Sequence, residues 1–222
     1  LENVLKQLGK LELLDQMMAI SDMVEISYVV QEEQLGLGDA VLQTKDLVGD
    51  QAFAIFLPDD LIWHNSPTIA AMIDIFNQNS GNVIAVKHVP DEALPNLGIV
   101  DVELMENRVC RIKSMVEKPK IEDAPSNLAI IGRYVLLPEI LDVLKYTKPG
   151  VLGEIQITDA LSVMLKSSDS YAYQFPGVHF DAGTPLGMLK ASIHQALQRK
   201  DISDDFEVWL DTVNESYRSR LS

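Results

Sequence analysis

The order of apolar and polar positions predicts helices that alternate with strands along the first half of the chain. Leucines and a valine at i+3 and i+4 spacing over residues 1–20 predict one amphipathic helix. Residues 25–31 are rich in β-branched and aromatic side chains and predict a strand, which a glycine turn and a helix over 39–47 follow. The unbroken apolar run over 52–57 predicts a strand buried on both faces, as in a parallel sheet covered by helices.

The alternation continues toward the C-terminus, which is typical of an α/β sheet. Two strand-like runs within residues 98–117, separated by Met105, Glu106, Asn107 and Arg108, predict a β-hairpin. The other predicted elements are a helix over 67–77 capped by Ser66, strands over 83–88, 129–136 and 171–174, and helices over 138–146, within 150–165 and over 185–199.

The composition predicts a globular protein. The 222 residues, with 47% hydrophobic and 23% charged side chains, can bury a substantial core. We predict a main domain over residues 1–200 and a tail over 201–222, whose Phe206, Trp209 and Leu210 form a candidate interaction element. No run approaches the roughly 20 apolar residues of a membrane span. The single cysteine, Cys110, cannot form an intrachain disulfide, so we expect a soluble, cytoplasmic protein.

The net charge of −15 opposes binding to nucleic acid and to anionic membranes, because both repel an acidic surface. We therefore expect neither as a partner. A phosphate ligand would need local compensation from a metal ion, a lysine or backbone amides.

Carboxylates in two segments, one of them at the end of a predicted strand, are candidates for a metal site. Asp59 and Asp60 follow the apolar run over 52–57, and Asp181 precedes a glycine turn and a helix. Ligands of open α/β sheets bind at the carboxyl ends of the strands, and Mg²⁺ takes one or two carboxylates plus phosphate oxygens. The alternative is a helix cap or a solvated turn.

Three further features are candidates for ligand contacts. The segment from Gln31 to Gly38 offers an amide for a base edge and glycines for close backbone approach, although plain turn chemistry also explains it. Glu117 and Lys118 end a predicted strand, where adjacent side chains point to opposite sides, so we do not expect them simply to pair with each other. The carboxylate suits sugar hydroxyls and the ammonium group suits a phosphate. Solvated charges at the end of a strand are the alternative. Glu154 is a possible hydroxyl ligand. The histidines have no zinc spacing and are interpreted as structural or surface residues: His64, His88, His179 and His194.

Six segments between residues 31 and 191 follow one another in a recognisable order. They are QEEQLGLGDAVLQTKDLVGD, FAIFLPDDLI, MVEKPK, APSNLAIIGRYVL, GEIQITDAL and FDAGTPLGMLKA. Together they resemble the bacterial UTP–glucose-1-phosphate uridylyltransferase family. The resemblance implies a Rossmann-like nucleotide-diphospho-sugar transferase fold, with a mixed, mostly parallel sheet flanked by helices, and a homo-oligomer. It also implies conversion of UTP and glucose 1-phosphate into UDP-glucose and pyrophosphate.

The resemblance implies a role for each candidate residue. Gln31 and Gly36 would contact the uracil edge, and Asp59 and Asp181 would hold Mg²⁺. The remaining four residues would contact the sugar side of the substrates. Glu117 would bind the glucose hydroxyls and Lys118 the sugar phosphate. The backbone of Gly98 would approach the sugar, and Glu154 would contact sugar or ribose. The metal ion and Lys118 would assist in-line attack of the sugar phosphate on the α-phosphorus.

The chain departs from the family pattern in three places. Asp39 stands where many relatives have histidine, and Leu97 where an aromatic residue is common, which leaves pocket details open. The G-x-G-T-R and P-K-x-M segments that hold the triphosphate do not occur in these 222 residues. By the resemblance, about 70 to 80 N-terminal residues, or two βα units, are lacking. We therefore expect this chain alone to be inactive.

Two alternative functions stay open at this point. Glucose-1-phosphate thymidylyltransferases share the fold, the metal pair and the sugar site. A non-catalytic nucleotide-sugar-binding homologue could lack the triphosphate segment, although the presence of both Asp59 and Asp181 argues against it.

Overall fold

The computed structural model describes residues 1–104 and 106–221 and divides the chain into two compact units, Leu1–Glu33 and Gln34–Ser222. The smaller unit contains helices α1 (Glu2–Gln7) and α2 (Leu11–Ser21). The prediction of one continuous helix is wrong because Gly9 adopts a φ of 65° and ends α1. The amides of Gly9 and Lys10 then bond the carbonyls of Lys6 and Leu5 at 3.2 and 3.0 Å, which satisfies the last turn of α1.

The strand predicted over residues 25–31 does not form among the described residues. The segment has no regular secondary structure, and its side chains from Val24 to Val30 are exposed. β-branched and aromatic residues favour a strand only where a neighbouring strand takes up the backbone hydrogen bonds and packs against the side chains. The sequence shows that the side chains suit a strand, but it does not show whether a neighbouring strand is available.

The larger unit contains most of the predicted elements. Its helices are α3 (Leu37–Leu42), α4 (Lys45–Val48), α5 (Thr68–Asn79), α6 (Glu139–Leu144), α7 (Ile157–Met164), α8 (Pro185–Gln198) and α9 (Ser203–Leu221), with short 3-10 turns at Asp91–Asn96, Ile121–Asp123 and Val151–Gly153. Its strands are β1 (Phe53–Phe56), β2 (Asp60–Trp63), β3 (Asn82–His88), β4 (Gly98–Leu104), β5 (Val109–Glu117), β6 (Leu128–Leu136), β7 (Ser170–Gln174) and β8 (Val178–Asp181). Ser66 does not cap α5: Pro67 occupies the N-cap position, and the amide of Ser66 donates to Nδ1 of His64 at 3.2 Å.

Six strands form one mixed sheet in the order β1-β6-β3-β7-β5-β4. The α/β prediction is confirmed, but "mostly parallel" is wrong for the described strands, among which only β3 and β7 pair in parallel. Antiparallel strands can be joined by short turns, and β4 and β5 form the predicted hairpin from Gly98 paired with Glu117 to Leu104 paired with Cys110. Met105, in the predicted turn, lies outside the described residues.

The core occupies both faces of this sheet. On β3, Ile84 and Val86 face one apolar cluster with α6 and α7, and Val83 and Ala85 face another with α5. Cys110 is buried in the first cluster. β1 lies at the sheet edge, so the prediction that it is buried on both faces is wrong, and alternate residues are exposed.

A two-stranded antiparallel ribbon, β2 and β8, lies beside the sheet and places Asp60 opposite Asp181. These four-residue strands are not predicted by the hydrophobic pattern. α8 starts just after the ribbon, with Pro185 in its first turn and the hydroxyl of Thr184 accepting the amide of Gly187 at 3.1 Å. No helix in the described part of the chain is long and apolar enough to cross a membrane.

Candidate active site

Two adjacent carboxylates with different surroundings lie where the loop after β1 leads into β2. Asp60 is largely enclosed: its Oδ1 lies 2.5 Å from Nε2 of His179, and its Oδ2 accepts the amide of Gly132 at 2.9 Å. Asp59 is exposed. The guanidinium of Arg133 donates to the carbonyl of Leu57 at 2.8 Å and so holds the loop against β6.

Asp59 and Asp181 converge on one point beside the glycine turn that follows β8. The amide of Ala182 donates to the carbonyl of Asp59 at 2.7 Å, and the amide of Gly183 donates to Oδ1 of Asp181 at 3.0 Å. A Cβ atom at Gly183 would lie 3.0 Å from Oδ2 of Asp59 and 3.1 Å from Oδ1 of Asp181. The glycine therefore leaves the space that both carboxylates face.

This pair fits a hard divalent cation that takes part of its coordination from water or phosphate. Mg²⁺ is usually held by one or two carboxylates rather than by an all-protein cage. In the described residues no group of three or more His, Cys, Asp or Glu side chains forms such a cage. The donors at Asp59 and Asp181 are oxygen atoms, as a hard cation requires, and both side chains are open to solvent.

The second part of the site is a cavity of about 190 Å³ between β4, β5, β6 and the start of α7. Glu117 lines it with a side chain that is 10% exposed, and Lys118 lines it with one that is 23% exposed. Nζ of Lys118 lies 3.7 Å from Oε1 of Glu117 and 3.9 Å from Oε2 of Glu154. The structure thus brings three of the sequence-predicted residues together.

The expectation that Glu117 and Lys118 point to opposite sides is wrong. β5 ends at Glu117, and Lys118 adopts a φ of 47°, outside the strand conformation. Side-chain alternation holds only within a strand, so the left-handed turn brings the ammonium group back beside the carboxylate. The amide of Lys118 bonds the carbonyl of Leu97 at 3.0 Å, which fixes this turn against the start of β4.

Gly98 keeps the cavity open. It lies opposite Glu117 in the β4–β5 register. A Cβ at Gly98 would lie 3.0 Å from Oγ1 of Thr158 and 3.1 Å from both Oε2 of Glu117 and Cδ1 of Ile130. Contacts this short displace the neighbouring atoms, so a larger residue would fill the space in front of Glu117.

Gly36 lies against the segment that carries Glu154. Its φ is 99°, and a Cβ would come within 2.8 Å of Cβ of Glu154, so both conformation and space require glycine. Ile155 links the two segments, donating to Leu35 at 2.7 Å and accepting from Gly38 at 2.8 Å. Asp39 is buried, and one of its oxygens accepts from Nε2 of Gln43 at 3.0 Å.

Gln31 belongs to the smaller unit, and its side chain is half-buried. The cluster described above consists of residues of the larger unit alone. The expected contact of Gln31 and Gly36 with a base therefore stays a prediction.

Several residues of the site were missed by the sequence analysis. Gly132 and Gly183 provide the amides that bond Asp60 and Asp181, and Tyr134 lines the cavity. Burial, with the nearby charges of Glu117 and Asp60, raises the pKa of Tyr134 well above its ordinary value, so its phenol keeps its proton at neutral pH. A glycine inside the apolar run of β6 was the available signal, because a glycine in a strand often marks close approach of another group.

Comparison with known proteins gives consistent matches. A model of the nucleotidyl transferase family matches residues 2–212. A curated relative, the UTP–glucose-1-phosphate uridylyltransferase of Staphylococcus epidermidis, is 39% identical over 210 residues, which cover 95% of this chain and 73% of the relative.

Solved structures show the same similarity. A UDP-glucose pyrophosphorylase complexed with UDP-glucose superimposes with a TM-score of 0.81 at 40% identity, covering 86% of this chain and 73% of that one. A UTP-bound UDP-glucose pyrophosphorylase from Acinetobacter baumannii also gives a TM-score of 0.81, at 36% identity, covering 94% of this chain and 73% of that one.

Proposed function

Since this chain belongs to the UTP–glucose-1-phosphate uridylyltransferase family of nucleotidyl transferases, we propose that its protein converts UTP and glucose 1-phosphate into UDP-glucose and pyrophosphate. The observation that carries the proposal is the two-part site. An exposed carboxylate pair, Asp59 and Asp181, accompanies a small cavity lined by Glu117 and Lys118. One part suits a metal with phosphates, and the other suits a sugar phosphate.

Asp59 and Asp181 are proposed to hold a divalent metal, specifically Mg²⁺. Their oxygens face one point, which supports a shared ion. When bound, Mg²⁺ would neutralise phosphate charge and polarise the phosphoryl group under attack. The protein's own acidic surface makes that neutralisation necessary for a triphosphate substrate.

Glu117 and Lys118 are proposed to bind the two ends of glucose 1-phosphate. A carboxylate accepts hydrogen bonds from sugar hydroxyls, and an ammonium group pairs with the phosphate. Gly98 would allow the sugar to approach the β4 backbone, and Glu154 would contact sugar or ribose while it holds the Lys118 ammonium in place. Gln31 and Gly36 would read the uracil edge.

The reaction needs no nucleophilic side chain. A phosphate oxygen of glucose 1-phosphate attacks the α-phosphorus of UTP, the bond from that phosphorus to the bridging oxygen breaks, and pyrophosphate leaves with the electron pair. The chain contributes orientation and a fixed positive charge at Lys118, which lowers the barrier by holding two anions in line.

We further propose that the protein works in the cytoplasm, where UTP and sugar phosphates occur together, and that it forms a homo-oligomer. α9 supports the second proposal, because Trp209, Val213 and Tyr217 recur at four-residue spacing on this helix and are exposed.

The test combines binding with turnover of the full-length protein. We expect UDP-glucose to bind by calorimetry, and pyrophosphate to be released from UTP far faster than from dTTP with glucose 1-phosphate and Mg²⁺. Glu117→Gln should weaken UDP-glucose binding at least tenfold, whereas Glu122→Gln, an exposed neighbour, should not. Preference for dTTP would assign the protein to thymidylyl transfer, and binding without any turnover would make it a non-catalytic binder.

A further inference from the structure

We propose that Asp60 and His179 are positioning residues that set the spacing of the two metal-binding carboxylates. The proposal rests on the proposed role of Asp59 and Asp181 as metal ligands. Neither residue is proposed as a metal ligand. Asp60 also lines the cavity that contains Glu117 and Lys118, but both residues would act on the metal only through their neighbours along the chain.

Asp60 joins three strands through its own atoms. Its Oδ1 contacts Nε2 of His179 on β8 at 2.5 Å, and its Oδ2 accepts the amide of Gly132 on β6 at 2.9 Å. Its backbone carbonyl accepts Nη2 of Arg133 at 2.5 Å. The side chains of Asp60 and His179 are only 19% and 13% exposed, so these bonds are shielded from competing water.

The two proposed ligands have fewer anchors of their own. Both Asp59 and Asp181 are exposed. Asp59 directly precedes Asp60, and Asp181 lies two residues after His179. The Asp60–His179 contact therefore joins the two backbones one or two residues from the point where the ligands converge, and it restrains the distance between them.

The same contact removes a competing ligand. Asp60 lies directly opposite Asp181 in the β2–β8 register, where two free carboxylates would repel each other and offer a third oxygen donor to a cation. His179 takes up one oxygen of Asp60 and Gly132 takes up the other. The ion is then left with Asp59 and Asp181, in the open arrangement that phosphate ligands need.

Loss of a contact that orients a metal ligand typically weakens metal binding about 10- to 100-fold, and we expect the same for the Asp60–His179 contact. The probe is Mn²⁺, titrated into the full-length protein with saturating UDP-glucose and followed by electron paramagnetic resonance. We expect Asp60→Ala and His179→Ala to raise the Mn²⁺ dissociation constant by about 10- to 100-fold. Asp60→Asn and His179→Gln, which keep hydrogen-bonding groups, should stay within about threefold of the wild type.

Controls separate this inference from the proposed function. Asp142→Ala removes an exposed carboxylate on α6 and should leave Mn²⁺ binding unchanged. If Asp59→Asn binds Mn²⁺ like the wild type, the proposed metal site is wrong. If Asp59→Asn abolishes binding but Asp60→Ala and His179→Ala bind normally, only the positioning role is wrong.

Folding is checked for each variant by near-ultraviolet circular dichroism without metal. If Asp60→Ala does not fold, the comparison of His179→Ala with His179→Gln tests the proposal, because His179→Ala leaves the hydrogen bond between Asp60 and Gly132 available. Equal loss in His179→Ala and His179→Gln would overturn the proposal, since a positioning contact is rescued by the side chain that keeps it.

Discussion

Lys118 returns its ammonium group to the residue that precedes it, with Nζ 3.7 Å from Oε1 of Glu117. This arrangement requires the left-handed conformation at Lys118, where φ is 47°. A non-glycine residue held there costs on the order of 1–3 kcal/mol, and such residues cluster at functional sites. The strained turn places an ammonium and a carboxylate side by side in the same cavity, as a sugar phosphate would need.

The first prediction separates the charge of Lys118 from its backbone conformation. Asparagine tolerates the left-handed region, so Lys118→Asn should fold with unchanged or slightly higher stability. It should raise the dissociation constant of UDP-glucose about 10- to 100-fold, because a hydrogen bond to a charged group contributes about 1.5–3 kcal/mol. Calorimetry measures the binding. Lys120→Asn, an exposed lysine two residues away, is the matched control, and equal losses in both variants would contradict a specific role.

The second prediction concerns the space between Asp59 and Asp181. Gly183 does not have a positive φ, so alanine can adopt its conformation. The added methyl group would lie 3.0 and 3.1 Å from the two carboxylate oxygens and would separate them. Gly183→Ala should weaken Mn²⁺ binding about tenfold, as expected for a contact that orients metal ligands, while the melting temperature without metal stays unchanged. Unchanged metal binding would show that the carboxylates do not act together.

The third prediction is a stabilised variant. Nε2 of His194 is buried without a hydrogen-bond partner in the described part of the chain, and its ring lies 5.5 Å from that of Trp63 and 5.1 Å from that of Phe180. His194→Phe should raise the free energy of unfolding by about 1 kcal/mol, because it removes an unsatisfied polar atom.

Urea denaturation measures the effect of His194→Phe, and UDP-glucose binding should not change. His88→Phe is the control, because it would remove the 2.7 Å contact between Nδ1 of His88 and Asn127 and should not stabilise the protein. A loss of stability in His194→Phe would reveal a polar role for this histidine.

The fourth prediction concerns pH. Burial raises the pKa of Asp159, so the folded state favours the neutral carboxyl group. Its ionisation therefore opposes folding at pH values above the raised pKa, and this cost disappears as the pH falls toward the ordinary value of about 4.

Asp159→Asn should therefore melt at a higher temperature than the wild type at pH 7, and the two should converge near about pH 4. Thermal melts across this range provide the measurement. Asp211→Asn, at an exposed position on α9, is the control. A variant that is less stable at pH 7 would show that the Asp159 carboxylate makes a compensating contact.

Local patterns were sufficient for elements that carry their own signal. The α8 prediction succeeded because Thr184 and Pro185 mark the start of a helix within a few residues. β3 and β6 succeeded because long β-branched runs were flanked by polar turns. The helix over residues 1–20 failed at a single residue, Gly9, whose positive φ no apolar spacing could reveal.

Long-range pairing explains most of the remaining differences. β2 and β8 are four residues each and become strands only because residues far apart in the sequence pair, as Asp60 and Asp181 do. The edge position of β1 likewise depends on strand order, which hydrophobicity does not encode.

The amino-acid pattern alone indicated an α/β protein and the identities of the charged groups, because periodicity, turn residues and ordered motifs are local properties of the chain. The tertiary structure determined which of those charged groups are buried and which partners they bond. Adjacent Asp59 and Asp60 differ only in what the distant Gly132, His179 and Gly183 place beside them. Hydrogen bonding and burial are properties of neighbours in space, and they left one aspartate enclosed and the other facing Asp181.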